Sequence, residues 1–437
     1  MIWDLPVETA PRETLEALQL ERLRRTLEWI RERVPFYRAR LGEAGLAPSD
    51  LRSLQDLPRL PFTRKADVRD HYPFGLFAVP REQVTRIHAS SGTRGKPAVV
   101  GYTRQDLEIW SEVMARGLAA AGAHPGEILH VAYGYGLFTG GLGFHYGAER
   151  LGLTVIPASS GNTLRQIMLL QDFRPRGLAC TPSFALHIGE AMREAGIKAE
   201  AIGLRYGLFG AEPWSEGMRR EIEAVLGLTA VDFYGLSEVI GPGVAAECAE
   251  ARDGLHINED HFLPEVVDPA SGEPLPPGTE GELVFTTLSK EAFPLIRYRT
   301  GDISALYPGP CRCGRTLVRM ARVKGRADDM LIIRGVNVYP SQVEAVLLEV
   351  QELAPHYQLV VDRSGTLPRL EVQVEPAESL LRAWGGWRED RPELARLRET
   401  VAARLKAALA LTTEVRILPP KGVPRSEGKA VRVLEKP

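Results

Sequence analysis

The sequence predicts an α/β protein: a large N-terminal domain of mainly parallel sheets flanked by helices, with a smaller β-rich subdomain, and then a small α+β domain. Between residues 127 and 236, short apolar runs alternate with amphipathic helical stretches, a pattern typical of parallel strands joined by helices. Beyond Gly254 the strand signals follow one another closely, and beyond Arg326 strands and helices mix again. We therefore place the boundary between residues 1–327 and 328–437.

The N-terminal region is predicted to be a helical cap. Apolar residues recur at helical spacing from Glu13 to Leu41, and proline-punctuated short segments follow. The strands of the predicted parallel sheet are short apolar runs, at 127–133, 153–158, 177–182, 206–211 and 230–235. Between them, residues 163–173 and 215–226 have helical periodicity.

The rest of the chain is predicted to contain shorter strands and one long helix. Residues 254–306 have strand and turn signals that favour an antiparallel subdomain. In the last part, residues 392–411 are predicted to form a helix and residues 415–418 a final strand.

Composition and charge limit the class of protein. Of the 437 residues, 44% are hydrophobic and 25% are charged, and the formal net charge is −2. These values are typical of a globular protein and do not point to a nucleic-acid partner. Because the N-terminus lacks a signal-peptide pattern and no long apolar run follows, we expect a cytoplasmic protein without a membrane partner.

A glycine-rich loop, "SSGTRGKPAVVGYT", runs from Ser90 to Thr103. Its glycines allow close approach of an anion, while its hydroxyls and the cations of Arg94 and Lys96 can bind phosphate oxygens. It is not a P-loop, because Pro97 follows Gly95-Lys96 where Ser or Thr would be needed. An ordinary surface turn is the alternative.

Two further motifs each follow a predicted strand, where α/β sheets bind ligands. They are "FGAEPW" (209–214) and "FYGLSEV" (233–239). Tyr234 is able to stack on a base and Glu238 to hold Mg²⁺ against phosphate oxygens. The alternative for Tyr234 is a ring packed into the core.

Three charged positions in the C-terminal half are also candidates. Asp302 ends a strand and is able to accept hydrogen bonds from two ribose hydroxyls, although an Asp after Gly is often a turn residue. Arg326 and Asp328 lie at the proposed domain boundary. Lys429 lies on a loop that, if mobile, would deliver one ammonium to a site in the other domain; a solvated surface lysine is the alternative.

Three of the four cysteines form a pattern with one histidine. Cys311 and Cys313 form a C-x-C pair in a turn, and Cys248 and His256 lie upstream. Three thiols and one imidazole suit tetrahedral Zn²⁺. The alternative is that the four residues are unrelated.

In this order, the motifs resemble those of the adenylate-forming superfamily of acyl-CoA synthetases, luciferases and nonribosomal adenylation domains. The segments "YGYGLFTGG", "FGAEPW", "YGLSEVIGPGVA", "PLIRYRTGD" and "GRADDMLIIRGVNVYPSQVE" are more specifically similar to those of phenylacetate-CoA ligases. The resemblance spans Ser90 to Lys429, nearly the whole chain. It implies ATP-dependent ligation of phenylacetate or a related aryl acid to CoA through an acyl-adenylate, with Mg²⁺ and release of AMP and pyrophosphate.

The resemblance also implies roles for individual residues. Residues 1–327 would bind ATP and the carboxylate, and residues 328–437 would be a mobile lid that carries the catalytic Lys429. The residues implied to bind the triphosphate are Ser90, Ser91, Gly92, Thr93, Arg94, Gly95 and Lys96. Those implied to bind the adenosine part are Gly210, Ala211, Glu212, Pro213, Asp232, Tyr234, Gly235, Ser237, Asp302 and Arg326.

The remaining implied roles concern the metal ion, the acid, CoA and the hinge. Glu238 would hold Mg²⁺, Asp328 would be the hinge and Gly335 would line the CoA tunnel. The aryl pocket would contain Tyr135, Phe138, Gly140 and Gly141. Arg94 departs from the family, which usually has a second Thr there; we expect its guanidinium to assist ATP binding.

Other functions remain open from the sequence. Related synthetases transfer AMP onto a deazaflavin coenzyme without CoA, and another arylcarboxylate-CoA ligase is a second alternative. A nucleotide-binding protein that has lost catalysis is disfavoured, because Lys429, Glu238 and Asp302 are retained. The resemblance also implies a possible homodimer, and a structural role for zinc because some relatives lack these cysteines.

Overall fold

The computed structural model of the chain describes residues 1–90, 97–327, 331–334, 336–363, 368–428 and 430–436, with main chain alone for Ile332 and Asn337. The N-terminal helices are α1 (Leu5–Glu8), α2 (Arg12–Arg33), α3 (Pro35–Glu43) and α4 (Lys65–Asp70). The helical stretch predicted from Glu13 to Leu41 is therefore two helices. Val34 is extended and Pro35 begins α3, because proline removes an amide donor and fits the first turn of a helix.

The central part of the chain alternates strands and helices as predicted. Its first elements are β1 (Arg86–Ala89), β2 (Val99–Tyr102), α5 (Arg104–Ala120), β3 (Ile128–Val131), α6 (Gly140–Leu151), β4 (Thr154–Ile156), α7 (Thr163–Phe173), β5 (Gly177–Cys180), α8 (Pro182–Glu194), β6 (Tyr206–Gly210) and α9 (Glu216–Leu226). The strands that follow are β7 (Thr229–Leu236), β8 (Gly241–Glu247), β9 (Leu255–Ile257), β10 (Phe262–Val267), β11 (Gly281–Thr287), β12 (Tyr298–Ser304), β13 (Leu306–Tyr307), β14 (Arg319–Met320) and β15 (Gly325–Arg326).

The largest sheet of the described residues has the strand order β13-β14-β9-β8-β7-β6-β5-β3-β4. Strands β4, β3, β5, β6 and β7 are parallel, as the sequence predicts. Beyond β7 the sheet continues in antiparallel pairs through β8, β9, β14 and β13. The predicted antiparallel subdomain is a second sheet with the order β10-β11-β12-β15.

Helices cover both faces of the parallel strands. Successive strand residues point to opposite faces. Leu178 and Cys180 on β5 accordingly pack with the cluster of α7, α8 and α9, whereas Ala179 joins the cluster that contains α5 and α6. Both faces of β5 are buried, which explains its continuous apolar run.

The C-terminal part forms a separate hydrophobic core. Its elements are β16 (Leu331–Ile333), β17 (Val336–Val338), α10 (Pro340–Leu347), β18 (Leu353–Asp362), β19 (Arg369–Pro376), α11 (Glu378–Ala383), α12 (Pro392–Leu409), β20 (Glu414–Ile417) and β21 (Val433–Lys436). The predicted helix and the strand near Val415 are confirmed. Strand β21, which pairs in parallel with β18, was not predicted. Within the described ranges, no helix combines the length and apolar character that a membrane span requires.

Candidate nucleotide site and metal centre

The first candidate site lies between the two sheets, where β7 of the large sheet faces β12 of the antiparallel sheet. The hydroxyl of Tyr234 on β7 donates to Oδ2 of Asp302 on β12 at 2.7 Å. Arg326 Nη1 donates to Oδ1 of the same carboxylate at 3.0 Å, because Asp302 and Arg326 are paired residues of β12 and β15. The structure thus brings together three residues that the sequence analysis selected from distant segments.

Electrostatics keep the phenol of Tyr234 protonated. Burial, followed by the negative charge of Asp302, raises the pKa of Tyr234 well above its usual value. The phenol therefore remains a hydrogen-bond donor at neutral pH. The Asp302 carboxylate accepts from both neighbours, and these two hydrogen bonds orient its side chain.

Two glycines allow the end of β7 to lie close to both of its neighbours, β6 and β8. A Cβ on Gly210 would lie 2.0 Å from the carbonyl oxygen of Phe233, and one on Gly235 would lie 2.0 Å from that of Gly241. Ala211, which follows β6, has a left-handed backbone with φ of 69°. These motifs contain glycine because the two strand ends have no room for a side chain.

Other residues predicted to bind adenosine contact protein groups in this structure. Asp232 pairs with Nε of Arg322 at 3.2 Å. The Oγ of Ser237 lies 3.4 Å from Oγ1 of Thr139, and Pro213 is exposed. The carboxylate of Glu212 accepts from the amide of Ser183 at 2.8 Å and from the amide of Ala430 at 2.9 Å.

Glu238, the predicted Mg²⁺ ligand, is buried just beyond the carboxyl end of β7. Burial and then the Glu238 charge raise the pKa of the nearby Tyr298. Burial also lowers the pKa of Lys290 to about 8, although Asp106 and Glu238 act in the opposite direction. A carboxylate oxygen is the ligand type that Mg²⁺ uses beside substrate phosphates, so the residue type fits the predicted role.

The described ends of the glycine-rich loop belong to a β-hairpin. Strands β1 and β2 pair antiparallel, and Ser90 extends the pairing, since its amide donates to the Ala98 carbonyl at 2.9 Å. Nine predicted site residues lie outside the part of the chain that the structure describes: Ser91, Gly92, Thr93, Arg94, Gly95, Lys96, Asp328, Gly335 and Lys429.

The predicted aryl pocket residues follow β3 and begin α6. Phe138 is 50% exposed, and the hydroxyl of Tyr135 lies 3.3 Å from Nδ1 of His145. A Cβ on Gly141 would lie 2.9 Å from the Tyr135 ring, and one on Gly140 would lie 3.4 Å from Tyr133. The glycines therefore make room for two tyrosine rings of the protein.

The four predicted zinc ligands converge on one point. The ligand atoms of Cys248, His256, Cys311 and Cys313 all lie within 4.8 Å of one another. The Sγ atoms of Cys248 and Cys311 are 3.9 Å apart, and Sγ of Cys313 is 3.5 Å from Nε2 of His256. A tetrahedral zinc ion with ordinary bond lengths requires edges of about 3.8 Å between sulfurs and about 3.6 Å between sulfur and nitrogen. Two of the ligand–ligand distances are thus close to those of a tetrahedral zinc site, and the donor set fits zinc.

The cluster is tied to the N-terminus of the chain by a buried ion pair. Arg315 Nε donates to the Glu8 carboxylate at 2.5 Å, and Arg315 Nη1 contacts Sγ of Cys313 at 3.5 Å. Hydrogen bonds from Cys248, His256 and Arg315 lower the pKa of the Cys313 thiol, while burial opposes them. The thiolate is the form that binds metal.

Comparisons with known proteins agree with this architecture. The AMP-binding enzyme family matches residues 56–289, and the AMP-binding enzyme C-terminal domain matches residues 335–436. The phenylacetate-coenzyme A ligase of Thermus thermophilus is 58% identical, over 100% of this chain and 99% of that protein. The chain belongs to the phenylacetate-coenzyme A ligases of the AMP-binding enzyme family. The ligase of the same description from Escherichia coli is 54% identical over 98% of this chain and 97% of its own length.

Solved structures of 2-hydroxyisobutyryl-CoA ligase are similar to this phenylacetate-coenzyme A ligase family member over its whole length. In the postadenylation state, with an acyl-adenylate bound, that protein is 31% identical with a TM-score of 0.92, covering 100% of this chain and 92% of its own. In the thioesterification state, with CoA also bound, the TM-score is 0.73 at 31% identity. That match covers 99% of this chain and 92% of the 2-hydroxyisobutyryl-CoA ligase. The present arrangement of the chain is thus closer to the former.

Sequence reasoning missed Thr181 and Ser183, which follow β5 at the same edge of the sheet as the recognised motifs. The Thr181 hydroxyl donates to the carbonyl of Gly428 at 2.9 Å, and the Ser183 hydroxyl, which donates to Glu212, lies 3.4 Å from the same carbonyl. The available signal was their position directly after a buried parallel strand, where ligand-binding loops occur.

Proposed function

We propose that this protein ligates phenylacetate, or a closely related aryl acid, to CoA through an acyl-adenylate. The observation that carries the proposal is 50–58% identity along the whole chain to four phenylacetate-coenzyme A ligases. The cluster of Tyr234, Asp302 and Arg326 supports it, because it forms an ordered polar group at the edge of the sheet where nucleotides bind in α/β folds.

In the first half-reaction, a carboxylate oxygen of the acid attacks the α-phosphorus of ATP. The bond from that phosphorus to the bridging oxygen breaks, and pyrophosphate leaves. We assign Asp302 to the ribose hydroxyls, Arg326 to the ribose and phosphate region, Tyr234 to the adenine and residues 90–96 to the triphosphate. Lys429 stabilises the negative charge that develops in the transition state.

Magnesium is assigned to Glu238. When bound, Mg²⁺ would offset the charge of the phosphate oxygens. The carboxylate of Glu238 contributes one hard oxygen ligand and is held in place by burial. The Lys290 ammonium lies in the same environment and balances the carboxylate while no cation is present.

In the second half-reaction, the CoA thiol attacks the acyl carbon, and the bond from that carbon to the AMP oxygen breaks. The thiol proton is released, and AMP leaves. We propose that residues 328–437 rotate about Asp328 between the two steps, withdraw Lys429 and bring Gly335 to the CoA tunnel. The two TM-scores against one ligase in two states support this division, because the same chain matches one arrangement better.

The aryl group is assigned to the region of Tyr135, Phe138, Gly140 and Gly141. The half-exposed Phe138 offers an apolar surface to a ring, and Tyr135 is partly buried against the main hydrophobic core. Because these relatives are named phenylacetate-coenzyme A ligases, we propose phenylacetate rather than another aryl acid as the substrate. The AMP-transfer alternative has no support among these relatives.

Zinc is proposed as a structural ion held by Cys248, His256, Cys311 and Cys313. Its ligands lie directly after β8, on β9 and in the turn before β14, and we assign the ion no part in the reaction. Bound zinc would link the antiparallel end of the large sheet to the N-terminal segment through Arg315 and Glu8. We also retain a homodimer, a cytoplasmic location, and the absence of nucleic-acid and membrane partners as expectations.

The experiment that tests the proposed function is product analysis with ATP, Mg²⁺ and a panel of aryl carboxylates, with and without CoA. Thioester formed with stoichiometric AMP and pyrophosphate is the expected result, and Lys429→Ala should slow its formation strongly because it slows adenylation. Pyrophosphate release without a thioester, on every acid in the panel, would favour AMP transfer to another acceptor and overturn the proposal.

A further inference from the structure

Residues 425–428 and Ala430 of the C-terminal part lie against the edge of the N-terminal sheet. The carbonyl oxygen of Gly428 accepts from Oγ1 of Thr181 at 2.9 Å. Two residues later, the amide of Ala430 donates to Oε2 of Glu212 at 2.9 Å. Gly428 and Ala430 are the sequence neighbours of Lys429, so the main chain on each side of that residue is anchored to the N-terminal domain.

Glu212 is itself held in a fixed position. Its Oε1 accepts from the amide of Ser183 at 2.8 Å, and the Ser183 hydroxyl donates to the same oxygen. Ser183 is in the first turn of α8, whose amides lack partners within the helix. The positive end of the helix dipole favours a carboxylate there. The Glu212 carboxylate therefore links the N-terminus of α8 to the main chain next to Lys429.

Additional contacts fix the rest of the segment. Thr163, at the start of α7, donates to Oε1 of Glu427 at 3.0 Å. Arg425 pairs with Glu375 of its own domain at 2.8 Å and lies 3.6 Å from a carboxylate oxygen of Glu190 on α8. The contacts of Glu427 with Thr163 and of Arg425 with Glu190 span the domain boundary and would have to break if residues 328–437 rotated.

We propose that Glu212 is a positioning residue for Lys429 in the adenylation half-reaction. The inference rests on the proposed function, which assigns Lys429 to the transition state. It differs from the adenine contact that the resemblance implied for Glu212, because both carboxylate oxygens are directed to protein amides in this structure. Glu212 stabilises the arrangement used for adenylation and is released for thioester formation.

The substitution Glu212→Gln tests the hydrogen-bond pattern with little change in size. The carboxylate accepts from two amides through its two oxygens, whereas a glutamine has one oxygen and one NH₂ donor. In either orientation the NH₂ group faces an amide N–H, of Ser183 or of Ala430. Loss of a charge-assisted hydrogen bond of this kind corresponds to a rate decrease of roughly 10- to 100-fold.

The half-reactions should be measured separately in single turnovers. Acyl-adenylate formation is followed from ATP and phenylacetate, and thioester formation from preformed phenylacetyl-adenylate and CoA. We expect Glu212→Gln to slow the first by roughly 10-fold or more, mainly in kcat, and to change the second by less than about two-fold. The matched control is Glu194→Gln, which removes an exposed interdomain pair with Lys421 and should change neither step.

A double-mutant cycle separates positioning from the alternatives. If Glu212 acts through Lys429, adding Glu212→Gln to Lys429→Ala will slow adenylation no further. If Glu212→Gln slows adenylation as much in the Lys429→Ala variant as in the wild type and also raises the ATP KM, Glu212 contacts the nucleotide directly. That result would overturn the inference. An equal loss in both half-reactions would also overturn it.

Failure of the proposed function gives a different result. If Lys429→Ala adenylates at the wild-type rate, the assignment of Lys429 is wrong, whatever Glu212→Gln does. If Glu212→Gln does not fold, as judged by its thermal midpoint, Ser183→Ala carries the same test. It removes the hydroxyl that donates to Glu212, and it should slow adenylation selectively by several-fold.

Discussion

The hydroxyl of Tyr234 donates a 2.7 Å hydrogen bond to Asp302 and thereby connects the large mixed sheet with the antiparallel sheet. The two residues are 68 positions apart in the sequence. Because the second oxygen of the Asp302 carboxylate accepts from Arg326, the orientation of this carboxylate depends on residues from three strands. The assigned ribose contact should therefore be sensitive to changes that do not touch Asp302 itself.

Tyr234→Phe should weaken ATP binding. The substitution keeps the ring but removes one hydrogen bond to the carboxylate that we assign to the ribose. We expect the ATP KM to rise about 3- to 10-fold, while kcat changes less, as loss of one hydrogen bond of about 1 kcal/mol implies. Steady-state kinetics at saturating acid and CoA would measure this. The control is Tyr37→Phe, which removes a buried hydroxyl that forms a hydrogen bond with Thr63. An unchanged ATP KM in Tyr234→Phe would contradict the assignment.

Glu8→Gln should lower the stability of the N-terminal domain. Arg315 is 1% exposed and donates to the Glu8 carboxylate, so the substitution leaves a buried guanidinium without its counter-charge. Breaking a buried pair costs about 3 kcal/mol, which lowers Tm by about 4 °C for a domain of this size. Differential scanning calorimetry provides the measurement.

The control for Glu8→Gln is Glu16→Gln, since Glu16 pairs with Arg12 at the surface, one turn apart on α2. Its Tm should stay within about 1 °C of the wild type. Equal decreases in Tm for Glu8→Gln and Glu16→Gln would mean that the buried pair of Arg315 and Glu8 stabilises the protein no more than a surface pair does.

Metal analysis should find about one zinc ion per chain, because three thiols and one imidazole have their ligand atoms within 4.8 Å of one another. Cys311→Ser and His256→Ala should lose the metal and have a lower Tm, while the adenylation rate of the folded fraction is retained within about two-fold. Cys180→Ala is the control, since that thiol lies apart from the cluster on β5. Carefully purified wild-type protein without zinc would end the proposal.

Stability should depend on pH through Lys290. Burial lowers its pKa from 10.5 to about 8, so between these values the unfolded chain binds more protons than the folded one. The contribution of Lys290 to the free energy of unfolding therefore rises with pH in that window. Below pH 8 the buried side chain is charged in the folded state, and its full destabilising effect is present. Between pH 7 and pH 9.5 the gain is about 2 kcal/mol.

Lys290→Met removes this titration. Between pH 7 and pH 9.5, the Tm of the wild type should rise by about 3 °C relative to the Tm of the variant. The exposed Lys406 provides the control substitution Lys406→Met. Parallel Tm curves for wild type and Lys290→Met would show that the Lys290 ammonium is not penalised by burial.

Much of the fold follows from local sequence, and the exceptions have physical causes. The parallel strands were predictable because each is a short apolar run, and β5 and β6 are buried along their whole length. The break between α2 and α3 at Pro35 was not predictable, because the helical periodicity of the apolar residues continues across it. Strand β21 was missed since it is mostly exposed and has no apolar alternation.

The candidate site divides in the same way. Tyr234, Asp302 and Arg326 each follow or end a strand and lie in recognisable motifs, so their convergence was expected. The contact between Glu212 and Ala430 was not predictable, because it joins residues 218 positions apart and exists in one arrangement of two domains. No periodicity or spacing in a single segment encodes such a contact.

The most direct test of an acyl-adenylate intermediate uses phenylacetate with both carboxylate oxygens labelled as ¹⁸O, together with ATP and CoA. If the carboxylate attacks the α-phosphorus and the thiol then cleaves the acyl carbon–oxygen bond, mass spectrometry will find one ¹⁸O atom in each AMP. Unlabelled AMP, with thioester still formed, would contradict the mechanism.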